Sequence, residues 1–292
     1  MSEPEIRLFA NAQNELGEGP IWCPEQRCLW WIDVATPTLM RANGADGQVQ
    51  AWSLPKVPGS LAQIDANRWL IAFRGGLAVV EVPGMSPRWL QPSGLTLGDE
   101  RINDGKVDRA GRFWFGTMDR KVKSPIGALY ALESNRVRRF DERFTLSNGI
   151  GWSPDNRTMY SSDTISRRIY AHDYNLEHGM LTNRRIFAEV EQGHGGPDGL
   201  TVDAEGGVWS AMFERSAVHR YRSDGKLDQV VRLPVSRPTS CIFGGDNLRT
   251  LYITTARFGL DEAALAREPW AGGVLAVEVP YQGLAEPHVQ LN

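Results

Sequence analysis

Asn103-Asp-Gly-Lys-Val-Asp108 is one of four near-copies of a six-residue segment in this chain of 292 residues. Each copy begins with an oxygen-bearing side chain and carries an apolar residue four positions later. Two weaker copies begin near positions 60 and 240, so the six starts are separated by 42, 43, 45, 50 and 42 residues. The sequence therefore contains six related units. The other three strong copies are Glu18-Gly-Pro-Ile-Trp-Cys23, Asn148-Gly-Ile-Gly-Trp-Ser153 and Asp198-Gly-Leu-Thr-Val-Asp203.

Each unit has the pattern of a small antiparallel sheet. Short apolar and aromatic runs alternate with Gly, Pro, Asn and Asp, which is typical of strands joined by tight turns. A repeat of about 40–50 residues with this pattern is the length of one four-stranded propeller blade. We predict an all-β fold, a six-bladed β-propeller that forms a single domain over residues 1–292 around a central channel. One helical pattern, from Asp261 to Glu268, is ended by Pro269 and is expected to be an insertion in the last blade.

Composition and charge narrow the class of protein. Hydrophobic residues make up 41% of the chain and charged residues 23%, as in ordinary globular proteins. A net charge of −3 provides no general attraction to nucleic acid or to a membrane surface. The chain has neither a long apolar run nor the basic and apolar parts of a signal peptide at its start, so we expect a cytoplasmic protein with no nucleic-acid or membrane partner. Cys23, Cys28 and Cys241 lack zinc-ligand spacing and are expected to be reduced structural thiols.

The symmetry of a propeller indicates where the four polar residues lie. The innermost strand of every blade runs along the channel, so equivalent positions at the strand starts form a ring. Glu18, Asn103, Asn148 and Asp198 are therefore expected to meet, and together they offer two carboxylates and two amide oxygens. Such oxygen donors suit a divalent cation of the calcium, magnesium or manganese type, which predicts a central metal-binding channel. Two alternatives remain: these residues are only turn formers beside glycine, or the ring holds a purely structural ion.

Sequence blocks that span the chain in order match a known family. On these blocks the chain resembles the SMP-30/gluconolactonase/LRE family, the regucalcin-like sugar lactonases. The matching blocks are Leu16-Gly-Glu-Gly-Pro-Ile-Trp22, residues 101–118, Ser147-Asn-Gly149, residues 197–206, Cys241-Ile-Phe-Gly-Gly245 and Ala271-Gly-Gly-Val274.

The resemblance implies one catalytic divalent cation, which could be calcium, zinc, manganese, magnesium or ferrous iron. It implies that Glu18, Asn148 and Asp198 hold this cation and that Asp198 also acts as the acid/base. Substrate binding is implied for Arg101 and Asn103. An acid that binds substrate hydroxyls in the family is replaced here by Lys121, and the nearby Asp119 could substitute for it, so both are further candidate substrate-binding residues.

The expected function is that of a metal-dependent lactonase, a carboxylic-ester hydrolase that opens a small sugar lactone of the gluconolactone, arabinonolactone or xylonolactone type. A divalent cation can polarise the lactone carbonyl and activate water, and Asp198 can move the proton. Coordination to a cation weakens a carboxylate as a base, so the sequence indicates the ligand role of Asp198 more firmly than its base role. The alternatives are a non-enzymatic calcium-binding regucalcin-like propeller and a paraoxonase-like arylesterase with a wider hydrophobic mouth. His194 could line the pocket mouth, although an exposed loop position is the more common case.

Overall fold

A computed structural model of the chain describes residues 4–193 and 195–291, and it consists of six four-stranded antiparallel sheets. The innermost strands contact one another in a closed ring, from blade 1 through blade 6 and back to blade 1. The predicted six-bladed β-propeller is confirmed.

The first strand, β1 (Ile6–Ala10), precedes five blades that are continuous in sequence. In each of these blades the strands run outward from the channel in chain order. Blade 1 contains β2 (Gly17–Cys23), β3 (Cys28–Asp33), β4 (Thr38–Asn43) and β5 (Val49–Ser53). Blade 2 contains β6 (Pro58–Gln63), β7 (Arg68–Phe73), β8 (Gly76–Glu81) and β9 (Arg88–Trp89). Blade 3 contains β10 (Glu100–Val107), β11 (Phe113–Asp119), β12 (Gly127–Glu133) and β13 (Arg136–Phe144). Blade 4 contains β14 (Ser147–Trp152), β15 (Thr158–Asp163), β16 (Arg168–Asn175) and β17 (Met180–Glu189). Blade 5 contains β18 (Gly196–Val202), β19 (Val208–Phe213), β20 (Ala217–Tyr221) and β21 (Leu227–Arg232).

Blade 6 is built from both ends of the chain. It contains β22 (Pro238–Gly244), β23 (Thr250–Thr255) and β24 (Val274–Glu278), and β1 pairs with β24 as the outermost strand. Hydrogen bonds between the first and last strands therefore close the ring. The helix α1 (Glu262–Arg267) lies between β23 and β24, as expected, and Asp261 caps it by accepting a hydrogen bond from the Ala264 amide at 2.7 Å. Within the described part of the chain, no helix has the length and apolar character needed to cross a bilayer.

Aromatic side chains fill the spaces between blades. Trp30 of blade 1 packs against Trp69 of blade 2 with ring centroids 4.8 Å apart. Trp22 of blade 1 stacks on Tyr252 of blade 6 at 5.3 Å, across the junction where the ring closes. Large rings bury much apolar area and prefer defined mutual orientations, so these contacts hold neighbouring sheets at a fixed angle. The inner strands are thereby held in a rigid ring.

The last residue of the repeated segment anchors the inner strand in two blades. Asp108 Oδ2 accepts hydrogen bonds from Trp114 Nε1 at 2.9 Å and from the Tyr174 hydroxyl at 2.5 Å. Asp203 Oδ2 likewise accepts from Trp209 Nε1 at 2.8 Å. Both carboxylates are fully buried, and such groups are stable only when they are hydrogen-bonded. The Asp that ends these segments therefore ties the inner strand to the second strand, far from the channel mouth.

Candidate functional site

All six inner strands carry an irregularity at the same place. The pairing register between each inner strand and its neighbour shifts close to the strand start. In four blades the shift contains or adjoins one of the polar residues identified from the sequence. A bulge turns side chains away from the regular alternation of a strand, so it can direct them toward the channel axis. Those four shifts lie between Glu18 and Ile21, Ile102 and Gly105, Asn148 and Ile150, and Pro197 and Leu200.

The structure brings the four predicted residues to one cavity. Glu18, Asn103, Asn148 and Asp198 all line a space of about 470 Å³ at the end of the channel where the inner strands begin. Asn148 is only 4% exposed and Asp198 5%. Asn148 and Asp198 are each followed by a glycine, which permits close packing. A Cβ on Gly149 would lie 2.4 Å from the Asp198 carbonyl oxygen, and a Cβ on Gly199 would lie only 2.0 Å from Ser240 Oγ.

The donor set fits a divalent cation. Asp198 Oδ1 is buried and has no hydrogen-bond partner among the described residues, which is a costly state unless a further ligand is bound. The Asn148 side-chain nitrogen donates to Thr164 Oγ1 at 3.2 Å, and that of Asn103 donates to the Ser147 carbonyl at 3.0 Å. These contacts fix the orientation of both amides. In residues 4–193 and 195–291 no three His, Cys, Asp or Glu side chains form a metal-binding group, so an ion at this place requires amide oxygens as well as carboxylates.

The site concentrates negative charge. Burial raises the pKa of Glu18 well above its usual range, and the charges of Asp198 and Asp104 act in the same direction. Burial also raises the pKa of Asp198 well above its usual range, again helped by Asp104, while hydrogen bonds from Gly199 and Asn148 act against the shift. Mutual repulsion of this kind is relieved by a bound cation, and it is a common mark of functional sites.

Asp104 is a member of the cluster that sequence reasoning missed. Burial raises the pKa of Asp104 to about 6, even though Lys106 lowers it. The residue lines a second, smaller cavity of about 30 Å³ deeper in the channel, together with Gln63 and Ser240. Its position directly after Asn103 in the repeated segment was the available signal. That signal was weak, because Asp-Gly is also an ordinary turn sequence.

The C-terminal segment closes the channel at the opposite end. Glu286 Oε1 lies 3.1 Å from Lys106 Nζ, and both side chains are largely buried. The Val289 amide donates to the Gln63 carbonyl at 2.8 Å, and the Gln290 amide to the Gly111 carbonyl at 2.9 Å. The larger cavity therefore opens at the face where the inner strands begin.

Arg101 also lines the cavity, and its role in substrate binding stays a prediction. Its Nη1 donates to Asn103 Oδ1 at 2.9 Å and lies 3.3 Å from the Ile102 carbonyl oxygen. Burial and the neighbouring charges of Arg74 and Arg120 together lower the pKa of Arg101 to about 10, against the opposing effect of Glu18. The guanidinium remains charged at neutral pH and offers its other donors to a ligand.

Asp119 and Lys121 do not line this cavity. The Asp119 carboxylate accepts hydrogen bonds from the amides of Lys121 at 3.0 Å, Lys123 at 2.9 Å and Ser124 at 2.8 Å, which lower its pKa. Asp33 and Asp163 hold backbone amides in the same way at the equivalent ends of β3 and β15. Asp119 therefore occupies a structural position of the repeat, and a substrate role for Asp119 or Lys121 stays a prediction. His194 lies outside the described residues.

Loops at the same face supply the rest of the cavity wall. The sequence did not identify these residues as cavity-lining, because they lie outside the six-residue repeated segments. They include apolar side chains from four blades as well as an arginine and a glutamate. The additional lining residues are Leu16, Leu146, Thr164, Ile165, Arg167, Gly195, Phe213, Glu214 and Phe258.

The fold and the site define a six-bladed propeller with an oxygen-lined pocket at one end of its axis. Residues 16–257 match the SMP-30/Gluconolactonase/LRE-like region, and the chain belongs to this family. Regucalcin of Danio rerio is 36% identical over 283 residues, which cover 93% of each chain. The 6-deoxy-6-sulfogluconolactonase of Pseudomonas putida is 34% identical over 284 residues, which cover 97% of each. The crystal structure of a calcium-binding regucalcin from Agrobacterium tumefaciens superimposes with a TM-score of 0.93 at 28% identity over the full length of both chains.

Proposed function

We propose that the protein is a metal-dependent sugar lactonase that hydrolyses an aldonolactone to the aldonic acid. The observation that carries this proposal is the presence of two buried, mutually repelling carboxylates and a guanidinium in one cavity of about 470 Å³. That volume lies within the range of about 300–1,000 Å³ usual for small-molecule sites. The Pseudomonas putida relative, which is named as a sulfogluconolactonase, supports the same reaction class.

The cation would be held by Glu18, Asn148 and Asp198, and Asp198 Oδ1 is the buried atom that lacks another partner. Calcium, zinc, manganese, magnesium and ferrous iron all accept such oxygen donors, and the calcium-binding relative supports calcium as the first ion to test. When bound, a divalent cation at this place would polarise the lactone carbonyl and lower the pKa of a nearby water.

The protein's own residues would bind the substrate and move the proton. Asp198 would accept a proton from the attacking water and return it to the ring oxygen that leaves. Arg101 would orient the substrate oxygens with its planar array of donors and share the negative charge that develops on the carbonyl oxygen. Asn103 holds Arg101 in place through the 2.9 Å hydrogen bond and presents its amide to the same space.

Arg101 favours an enzyme over a calcium buffer. A guanidinium cannot coordinate a cation, and its charge opposes cation binding nearby. A site that only stored calcium would be weakened by Arg101, whereas a site that binds a substrate with several oxygens gains hydrogen-bond donors from it. The cavity is also far larger than one ion and its waters require.

The apolar wall supports arylesterase activity as a second candidate. Phe213, Ile165 and Phe258 line the mouth, and the residues Ile165 and Phe258 remain 48% and 56% exposed. Exposed apolar groups beside a polar centre could accept the ring of a phenyl ester. A phenyl ester therefore belongs in the substrate panel.

The test is a proton-release assay on glucono-, arabinono- and xylonolactone and on phenyl acetate. The protein would be stripped with a chelator and reconstituted with each of the five cations. We expect lactone hydrolysis to disappear on chelation and to return with at least one cation. Preferential turnover of phenyl acetate would favour the arylesterase function over the lactonase function. Cation binding without turnover of any ester would support a non-enzymatic calcium-buffer function.

Variants connect the activity to the site. Asp198→Ala and Glu18→Gln should abolish turnover while the circular dichroism spectrum and cooperative unfolding are retained. Asp155→Ala is the control, since Asp155 lies in an exposed turn at the opposite end of blade 4. Full activity of Asp198→Ala would refute the assignment.

A further inference from the structure

Three arginines converge at the mouth beside blade 3. Arg74 follows β7, and its carbonyl oxygen accepts a hydrogen bond from the Ile102 amide at 3.3 Å. Arg120 follows β11, and its Nε donates to the Glu100 carbonyl at 3.0 Å. Glu100 and Ile102 flank Arg101 in the chain, so the backbone places Arg74 and Arg120 on either side of the cavity-lining arginine.

Two of the carboxylates near this cluster have other partners, and a third, Asp99, is exposed and accepts the Arg120 amide through its carbonyl oxygen at 3.1 Å. Glu100 pairs with Arg139 at 3.1 Å, and Asp119 accepts three backbone amides. Within residues 4–193 and 195–291 none of Arg74, Arg101 and Arg120 forms an ion pair with a carboxylate. The lowered pKa of Arg101 has the same origin, since burial and the charges of Arg74 and Arg120 all disfavour its protonated form.

Further positive charge lies at the same mouth. Arg167 lines the cavity from blade 4, and Lys121 and Lys123 are exposed in the loop that follows Arg120. The glutamate in the cavity wall, Glu214, is engaged by Arg237 at 2.9 Å. A divalent cation would neutralise the two buried carboxylates, and no ion pair between Arg74, Arg101 or Arg120 and a carboxylate of the described residues would then offset their positive charge.

The positive charge at this mouth does not reflect a basic overall composition, because the whole chain carries a net charge of −3. Arg74 and Arg120 are exposed to solvent, whereas Arg101 is largely buried and lines the cavity, so water screens the charge of Arg101 less than theirs. Clefts lined by one sign of charge attract ligands of the opposite sign. Arginine in particular binds sulfonate, phosphate and carboxylate through paired hydrogen bonds.

We propose that the site is built for an aldonolactone that carries an anionic group, and that Arg101, Arg74 and Arg120 bind this group while the lactone carbonyl lies at the carboxylate ring. The proposal rests on the lactonase function above and specifies its substrate class. The anionic group is a sulfonate, a phosphate or a carboxylate, which share the oxygen geometry that guanidinium groups recognise.

The test compares kcat/KM for glucono-1,5-lactone with its 6-phosphate, its 6-deoxy-6-sulfo analogue and glucarolactone, with the active cation present. We expect at least one anionic lactone to be preferred by roughly tenfold or more, as a charge-assisted contact would produce. Added salt should lower kcat/KM for that substrate more than for the neutral lactone. The three anionic substrates distinguish sulfonate, phosphate and carboxylate recognition.

Arg74→Gln and Arg120→Gln should each lower the ratio of anionic to neutral kcat/KM by roughly tenfold. Arg136→Gln is the matched control, because Arg136 is exposed in the same blade at the opposite end, and it should leave the ratio unchanged. Hydrolysis of neutral lactone with no preference for any anionic one, or a ratio insensitive to both substitutions, would overturn the inference and leave the lactonase proposal intact. Absence of hydrolysis for all four lactones would overturn the lactonase proposal itself, and the inference with it.

Discussion

Asp104→Asn should stabilise the cation-free protein at pH 8 and weaken its affinity for the cation. Asp104 is half-buried near the carboxylates of Glu18 and Asp198, and burial raises the pKa of Asp104 from 3.8 to about 6. A shift of this size corresponds to about 3 kcal/mol of folding free energy lost when the carboxylate is ionised. Asparagine keeps the shape and the oxygen that accepts the 2.7 Å hydrogen bond from the Gly105 amide. The charge is therefore the main property removed.

The dependence on pH follows from the direction of the shift. A carboxyl whose pKa is higher in the folded than in the unfolded state destabilises the fold increasingly as pH rises from the unfolded pKa to the folded pKa, and the loss is complete above the folded pKa. The advantage of the variant should be full above about pH 7, about half as large at pH 5, and nearly absent below pH 4. Because Asp104 is not fully buried, a gain of about 1–3 kcal/mol is the realistic range at pH 8, or roughly 2–6 °C in Tm for a chain of this length.

The measurement is thermal unfolding of chelated wild-type and Asp104→Asn proteins by calorimetry at pH 5 and pH 8, followed by calcium titration. Asp155→Asn is the control. The wild-type Asp155 carboxylate is exposed, and hydrogen bonds from the Ser153 hydroxyl and the Arg157 amide lower its pKa. The variant should therefore melt at a slightly lower temperature than the wild type. A chelated Asp104→Asn protein that melts at or below the wild-type temperature at pH 8 would show that Asp104 is not held ionised in a repelling cluster.

Three further predictions concern the site and its support. In the wild type, a cation at about 100 times its Kd should raise the free energy of unfolding by about 2.7 kcal/mol, and Glu18→Gln should lose most of that gain in a melting experiment. Arg112→Gln should lower stability by about 3 kcal/mol in urea unfolding while activity survives, because it leaves the fully buried Asp108 without its ion-pair partner at 3.4 Å. Gly199→Ala should reduce both stability and kcat, because the new Cβ would lie 2.0 Å from Ser240 Oγ and displace an inner strand. A variant with the wild-type kcat would contradict the close packing of the ring.

The number of blades and the ring of polar residues could be predicted because both follow from local periodicity. Turn residues and apolar runs recur every 42 to 50 positions, and each unit needs its neighbours to bury its apolar faces. A closed ring of equal units then brings equivalent positions together, which placed Glu18, Asn103, Asn148 and Asp198 in one cavity without knowledge of any contact.

The sequence was less informative wherever the repeat is broken. The pairing of β1 with β24 depends on where the ring closes, and no local pattern in the first ten residues records it. Asp119 is a candidate substrate-binding residue because it follows a matching block, and the structure shows that its carboxylate also accepts three backbone amides. This structural role of the Asp119 carboxylate could be recognised only by comparing the ends of equivalent strands in the folded blades.

The sequence by itself determined the blade, its repetition and the chemical character of the ring, since strand alternation and turn preference act over a few residues. Only the tertiary structure decided the electrostatics of the site. The raised pKa of Asp104, the converging arginines around Arg101 and the apolar mouth at Phe258 arise from residues that are distant in sequence and become neighbours when the channel closes. Burial and charge–charge interaction depend on distance in space, and unequal loops do not repeat, so neither could be read from the order of residues.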